Sequence, residues 1–571
     1  MKSYGDKSFI LLAAVLLAAA FCCGTSTAED EPIILEESSF FDIIRGELHD
    51  TVIIGNAIMR QGSGMLHADS AIWIKGERII LKNHVLIIDS LYRLDADRVD
   101  YLIESREARA LGQDLQIYSE KDSIKAVGTD AFLLRDSSLF RMINRPTLYL
   151  NYPDSSNLIV ITADLITFDS KSKIGYADGN VVIRQEDTES KAGRAILYVD
   201  SEVVMLTEEP LARRRESEIK GDTLIFFSHD RKLSRIHVLS NGEGKFKEPV
   251  KRDSTLYDRS TLTAQELQFN LIGGLLDNII AGGQAYSYYE PGRGDTSEIV
   301  KNIVSGDSIK IFMEDEDLNL IQVIGGAEGE YYSGKYDTVD SERVYVEDTV
   351  FYRSDSIRYE PHDSTISLIN NAAVTDGKVS LSAINIDFNT ARELVTAYGD
   401  SVRPADSSAD YVPVILKDGV EEMSGIYLEY SLDTERGMIR HSRSGKDEAY
   451  YGGSELYKST KEVFYVHNGT YTSCEYEDSH YHFYSTHMKV IQGDRVIARP
   501  VVFYIEKLPL LVIPYYVFSM KEGRHSGFLP FQIGNFSRGQ RRIENVGYYW
   551  AASEYWDILA SMDYYENYGF K

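Results

Sequence analysis

Three histidines, His480, His482 and His487, stand near Glu475, Glu477 and Asp478, and imidazole with carboxylate is a donor set that zinc-like cations accept. On a strand, positions 480 and 482 share one face. No third ligand is fixed by the spacing, so a solvated strand carrying interfacial aromatics is the better reading. The run Glu314-Asp315-Glu316-Asp317 offers oxygens to Ca²⁺ but lacks the glycine and the spaced ligand positions of a calcium loop, and it reads as a polar turn. No nucleophile elbow, Walker loop, HExxH helix or pair of catalytic carboxylates on a rigid core occurs, so neither catalysis nor a cofactor nor a bound metal is expected.

Cysteine use and the first thirty residues set the compartment. Lys2 and Lys7 precede an apolar run from Phe9 to Phe21, and Ser26-Thr27-Ala28 fits a signal-peptidase site, so residues 1–28 read as a leader with the mature chain starting at Glu29. Cys22 and Cys23 follow bulky neighbours, which disfavours lipidation. After cleavage only Cys474 is left in this sequence, so no Cys-x-x-Cys zinc or redox pair forms. Lys and Arg number 60 against 88 Asp and Glu, a net charge of −28, which argues against nucleic acid as a partner. No window holds the roughly 18 apolar residues of a membrane helix, so any membrane crossing must be made by a closed barrel.

The elements that must carry these residues are strands. A small or acidic residue followed by alternating apolar positions recurs as HADSAIWI (67–74), LDADRVDYL (94–102), VGTDAFLL (127–134), ITADLITF (161–168) and IKGDTLIFF (219–227). Further copies are LTAQELQF (262–269), VSGDSIKIF (304–312), YRSDSIRY (352–359), LSAINIDF (381–388) and MSGIYLEY (423–430). Between them lies a second strand type with a turn signal, at Asn56, Asn83, Asn180 and Asp400. Each repeat thus reads as two or three short strands in an all-β, elongated jellyroll or V-shaped antiparallel stack. Two apolar inner faces would enclose a continuous seam, read equally as core or as a lipid groove. The open end of such a stack is a template for another strand, expected here at Thr51 to Met59.

From Val463 the composition shifts to dense aromatics, including His480 to Tyr484 and ARPVVFYIEKLPLLVIPYYVFSMKEGRHSGFLPFQIGNFS. Phe528–Phe536, Asn545–Ala552 and Trp556–Tyr565 each approach the roughly 9–11 residues of a tilted membrane strand. In the third, Trp556, Ile558, Ala560, Met562 and Tyr564 form one apolar face. Three strands cannot close, so the barrel is expected to continue beyond Lys571. The expected organisation is a leader at 1–28, a periplasmic β-repeat domain at 29–462, a junction at 463–526 and the first barrel strands at 527–571.

Pro500, Val502, Phe503, Tyr504, Pro509, Pro514, Tyr515, Ser526, Gly527, Phe528, Leu529, Pro530 and Gly534, followed by Tyr548-Tyr549-Trp550, resemble the junction of the lipopolysaccharide-assembly outer-membrane family, LptD or organic solvent tolerance protein. The upstream repeats resemble that family's OstA-type domain, which has the LptA-like fold. The resemblance implies a Gram-negative outer-membrane protein that takes lipopolysaccharide into a periplasmic groove and releases it through a laterally opening barrel. It further implies an LptA-like bridge protein of the same fold and an LptE-like plug lipoprotein as partners.

In the family, first-strand prolines weaken the seam. Pro530 is the match here and also fits a plain strand start, while Gly547 occupies a common second-strand proline position. Long-range disulfides of the family would leave Cys474 bridged to a cysteine outside this sequence, or else a free thiol. A soluble periplasmic lipid-binding or bridge protein and a β-repeat scaffold without a lipid ligand are the competing functions.

Overall fold

The computed structural model describes residues 33–571 except 46–49, 62, 90–91, 135–137, 155–157, 251–252, 293–297, 316, 340–341, 401–411, 419–420, 447–448, 461, 473, 475–478, 520–525, 530–531, 534–541, 554 and 567. The leader expected at 1–28, with Cys22 and Cys23, therefore lies outside the described residues, as do Glu475, Glu477, Asp478, Pro530 and Gly534. The described residues form strands, turns and loops, with every registered pairing antiparallel. The all-β expectation holds. Two compact units result, one of residues up to Glu186 with Ile196–Asp200, the other of Asp187–Ala195 with Ser201–Lys571.

In the first unit, Thr51–Gln61, Gly64–Ile74, Arg78–Ile88, Arg93–Leu102, Glu107–Ser119 and Ile124–Leu134 follow one another as a meander. Each is a single long strand bent in its middle. Inward positions of Thr51–Gln61 are Val52, Ile54, Ala57 and Met59, all buried, so the two-residue alternation slips by one at Asn56. Asn56 has φ of 45°, the left-handed region that asparagine tolerates better than most residues. That one residue lets both halves of the strand aim apolar side chains into the same interior. Most copies of the two strand types are thus neighbouring whole strands, with Asn56, Asn83 and Asn180 at mid-strand corners, whereas ITADLITF, IKGDTLIFF and MSGIYLEY each span two short strands and Asp400 lies between strands, as the sequence suggested.

The corners hold one another by a recurring contact. At the bend, the acidic residue of one strand type accepts a hydrogen bond from the next strand, from a left-handed residue at His84, Asn180, Asn241 and Asn371 and from an ordinary backbone N–H at Gln113. His84 Nδ1 lies 2.8 Å from Asp69 Oδ2, Gln113 N donates to Asp97 at 3.0 Å, and Asn180 Nδ2 donates to Asp164 at 2.7 Å. In the second unit Asn241 donates to Asp222 at 3.0 Å and Asn371 to Asp355 at 3.0 Å. The residue before the acid is small because it faces inward at the bend: Ala68, Ala96, Ala163 and Ser354 are buried, and a Cβ on Gly306 would meet Val323 Cγ1 at 2.7 Å.

At intervals a bent strand gives way to two short ones. Ile124–Leu134 pairs through one half with Leu139–Ile143 and through the other with Thr147–Leu150. Leu165–Asp169 and Ile159–Thr162 extend those two tracks, and both rejoin on Ile174–Gln185. The second unit repeats the device where Val379–Asn389 divides between Leu394–Tyr398 and Val414–Asp418, with the tracks reunited on Gly437–Lys446.

Thr51–Gln61 is not the open edge that the sequence suggested. Ile34–Glu37 covers one half of it and Phe40–Ile44 the other, so these two strands form the N-terminal edge. Phe40, Phe41, Ile43 and Ile44 are exposed there.

Candidate membrane junction

Packing of the seam differs along the chain. In the first unit Ile54, Met59, Ile79, Leu81, Leu94, Leu115, Ile117 and Phe168 are buried to within 2%, so the interior is filled by the protein's own side chains. Each such side chain contributes about 1.5–3 kcal/mol as core.

The second unit contains longer strands, Leu275–Glu290, Glu298–Glu314, Asp317–Val339 and Glu342–Glu360, whose inner face is looser and partly polar. Tyr352 reaches across Gly329, where a Cβ would meet its ring at 2.2 Å, and donates to Asn302 Oδ1 at 2.6 Å; burial pushes its hydroxyl pKa up to about 12. Next to it in register, Tyr289, Asn302, Tyr331 and Val350 form a row in which both tyrosines stay 40% exposed. Burial and the neighbouring Asp348 raise the pKa of Asp376. Of the acidic run, Glu314 and Asp317 stand opposite each other at the ends of two of these strands, and Glu316 lies outside the described residues.

Towards the junction the sheet runs through Ala449–Lys458, Val463–Thr472, Tyr481–Ile491 and Arg495–Ile505. Their registers align an aromatic ladder, Tyr451 on Tyr471 at 5.1 Å, Tyr471 on Phe483 at 6.2 Å and Phe483 on Phe503 at 5.0 Å between ring centroids. Leu511, 47% exposed, follows Phe503 in the next strand. On the other face His482 stacks on Tyr504, 5.0 Å apart and 9° from parallel. Its Nδ1 is buried without a hydrogen-bond partner among the described residues, and burial lowers its pKa.

The three histidines are not brought together. His487 stands opposite His467, with rings 5.0 Å apart, His482 packs on Tyr504, and His480 lies before the strand with Nδ1 3.6 Å from Cys474 Sγ. Among the described residues no cluster of three or more metal-ligating side chains forms. Cys474 is a buried free thiol whose backbone N–H donates to Thr472 Oγ1 at 3.0 Å.

The junction residues occupy the last bent strand and its edge. Pro500 follows a cis peptide at the mid-strand corner, and Phe503 is buried. Beyond it Leu508–Ile513 pairs with Val501–Ile505, and Tyr516–Ser519 with Arg495–Ala498, so these two strands end the two tracks. Pro509 lies opposite Tyr504, Pro514 closes the strand, and Tyr515 is exposed.

A separate sheet then begins. Gly527–Phe528 and Gln532–Ile533 pair with Arg542–Trp550, which pairs with Ile558–Tyr565. Val546, Tyr548, Trp550, Ile558, Ala560, Met562 and Tyr564 share one exposed apolar face across this hairpin. The opposite face carries Asp563, which accepts Asn545 N–H at 2.6 Å, and the Tyr549 and Tyr565 hydroxyls, which donate to Asp557 at 2.8 Å and Glu544 at 2.6 Å. One face is apolar throughout, as suits hydrocarbon, while the other combines these polar groups with the exposed Leu559.

Two described stretches tie the first strand to its neighbour. Gly527 stands opposite Tyr549, Phe528 opposite Tyr548, and Leu529 N–H donates to Gly547 O at 2.8 Å before pairing resumes at Gln532. Gly547 itself fills a close approach, since a Cβ there would meet Ala560 O at 2.3 Å.

Comparison with known proteins gives a family match on this segment. The profile of a family described as LptD protein matches residues 496–571. An LPS-assembly protein LptD of Ectopseudomonas mendocina is 27% identical over 138 residues, covering 22% of this chain and 14% of that protein. Another, of Vibrio cholerae, is 22% identical over 210 residues, covering 35% and 24%. A third, of Nitrosomonas eutropha, is 23% identical over 203 residues, covering 34% and 26%. The chain thus spans between a seventh and about a quarter of the length of these curated relatives. Among solved structures, LptH, the LptA-homologous periplasmic component of the lipopolysaccharide transport device of Pseudomonas aeruginosa, is 12% identical, with a TM-score of 0.19 over 28% of this chain and 92% of that one. By its residues 496–571 and by these partial alignments, the family this chain is similar to is that of the LPS-assembly LptD proteins.

Proposed function

We propose that this chain transports and assembles lipopolysaccharide at the outer membrane. The observation that carries the reading is that the family match coincides with the point where a bent-strand roll gives way to a hairpin with one apolar and one mainly polar face. Residues 1–28 are the leader, 29–462 the periplasmic domain, 463–526 the junction and 527–571 the first strands of the barrel. The task is transport rather than catalysis. Exposing several acyl chains to water together would cost on the order of tens of kcal/mol at about 0.8 kcal/mol per CH₂, so the path must be shielded. The looser inner face of the long strands and the aromatic ladder ending at Phe503 supply apolar surface for it.

Release is sideways, through a seam beside the first barrel strand. Pro530, which lies outside the described residues, lacks the N–H that a strand ladder requires, so the first barrel strand is weakened at that position. Gly547, whose carbonyl accepts the Leu529 N–H, is the second weak strand position beside that seam. The partners are lipopolysaccharide, an LptA-like bridge protein that adds a strand to the edge at Ile34–Glu37 and Phe40–Ile44, and an LptE-like plug lipoprotein within the barrel.

The test is to express the full-length protein in its host and replace Pro530 with Val. Heat-modifiable migration from the outer-membrane fraction, with surface lipopolysaccharide reduced in the Pro530→Val strain at unchanged protein level, is the expected result. Recovery of the wild-type protein as a soluble periplasmic species would favour a bridge protein instead.

A further inference from the structure

Residues 508–519, LPLLVIPYYVFS, contain no charged side chain in a chain that is 26% charged. They form the two strands that end the sheet, and among the described residues neither has a second neighbour. Leu508–Ile513 is exposed on both faces: Leu508 is 63% exposed, Leu511 47% and Val512 61%, although Leu511 shares the face of Phe503 and Val512 the face of Val502. A water-facing edge strand ordinarily alternates, with polar residues on its outer face and charges to keep other strands away. This one does neither.

What covers it is narrowed by the prolines. Pro509 within the strand and Pro514 at its end remove backbone N–H groups, which makes the edge a poor template for another strand. The N-terminal edge makes the contrast, because Phe40–Ile44 is also exposed and mostly apolar yet carries the charged Asp42 and contains no proline. An apolar segment that rejects strand pairing and is exposed on both faces fits a fluid apolar surrounding. It is followed within ten residues by the hairpin sheet starting at Gly527, and Tyr515 and Tyr516 lie at its end, where aromatic residues suit an interface between lipid and water.

We infer that Leu508–Val517 is immersed in the phospholipid of the bilayer leaflet adjoining the barrel strands, so that the last edge of the roll is sealed by lipid rather than by protein. This rests on the reading that residues 527–571 enter the membrane, and it adds a second membrane contact made by the roll itself. Such a contact would bring the end of the aromatic ladder at Phe503 level with hydrocarbon, without a water gap between roll and barrel.

The experiment places the photoreactive residue p-benzoylphenylalanine at Leu511, Val512, Met562 or Val379 of the full-length protein in cells whose phospholipids carry tritiated glycerol. Met562 reports the barrel hairpin and Val379 an exposed apolar site in the roll. After irradiation, tritium on the protein at positions 511 and 512 is expected at the level of position 562 and at least ten-fold above position 379. Labelling at 562 with none at 511 or 512, or protein or lipopolysaccharide adducts there instead, overturns the inference and leaves the barrel reading intact. Absence of label at 562 as well overturns both.

Discussion

His482 and His84 titrate in opposite directions for reasons visible in their contacts. Burial beneath Tyr504 lowers the pKa of His482, so the unfolded chain binds a proton through the ordinary histidine range that the folded chain refuses. Stability should therefore fall as pH drops below about 6.5, until the depressed folded value is reached. His482→Phe should flatten that acid-side slope, as read from unfolding midpoints between neutral and mildly acid pH. The hydrogen bond that His84 donates to Asp69 raises the pKa of this exposed ring, so its small contribution is full below the ordinary histidine value and fades as pH rises through the raised one. An NMR titration of the ring should give the higher pKa, and Asp69→Asn should abolish the shift. At Phe168, fully buried against Phe140 with centroids 5.5 Å apart, truncation to Ala should cost about 3–5 kcal/mol in denaturant unfolding. The sequence marked Phe503 and Tyr504 through a motif, but not their partners. Phe483 and His482 meet them only through cross-strand register, which a linear reading does not contain.

Among elements, the bent strand is the feature that sequence reasoning half saw. Both strand types and their Asn and Asp positions were legible, yet they were divided into short strands because the left-handed residue shifts the two-residue period by one. An alternation that restarts looks like a second strand. The corner contact gives the check: Asn180 has φ of 48° and donates to Asp164. Asn180→Gly, which keeps the backbone conformation and loses one hydrogen bond, should cost about 1 kcal/mol, whereas Asn180→Val should cost about 1–3 kcal/mol more from backbone strain. Equal midpoints for the two variants in thermal unfolding would remove the left-handed corner as the reason for asparagine. The hairpin of Arg542–Trp550 and Ile558–Tyr565 was more legible, since its apolar face from Ile558 to Tyr564 recurs at every second residue and the structure keeps it. Gly547 was legible only as a weak strand residue; the close backbone of Ala560 that explains it belongs to the pairing.

At the scale of the molecule, fold class could be read from periodicity, but the ends of the sheet could not. Thr51–Gln61 has the apolar alternation of a docking strand and is covered, because two less regular segments, Ile34–Glu37 and Phe40–Ile44, pair along its halves. If that outer edge receives a partner strand, Ile43→Pro should abolish cross-linking to the bridge protein while circular dichroism stays unchanged; persistence of the cross-link would move the contact elsewhere. The pairing pattern also bears on how such a chain is made. The partner of each strand lies one to three strands earlier, so loops to be closed are short and their entropy cost small. A polypeptide threaded through a secretion pore with its amino end leading would find each new strand's neighbour already seated on the far side. Assembly could then keep pace with export, the growing tip being the one unfinished surface at any moment. Chains shortened stepwise from the carboxyl end should accordingly retain protease-resistant amino-terminal cores of increasing length, and a collapse of all resistance on removing the last strands would show that completion is cooperative instead.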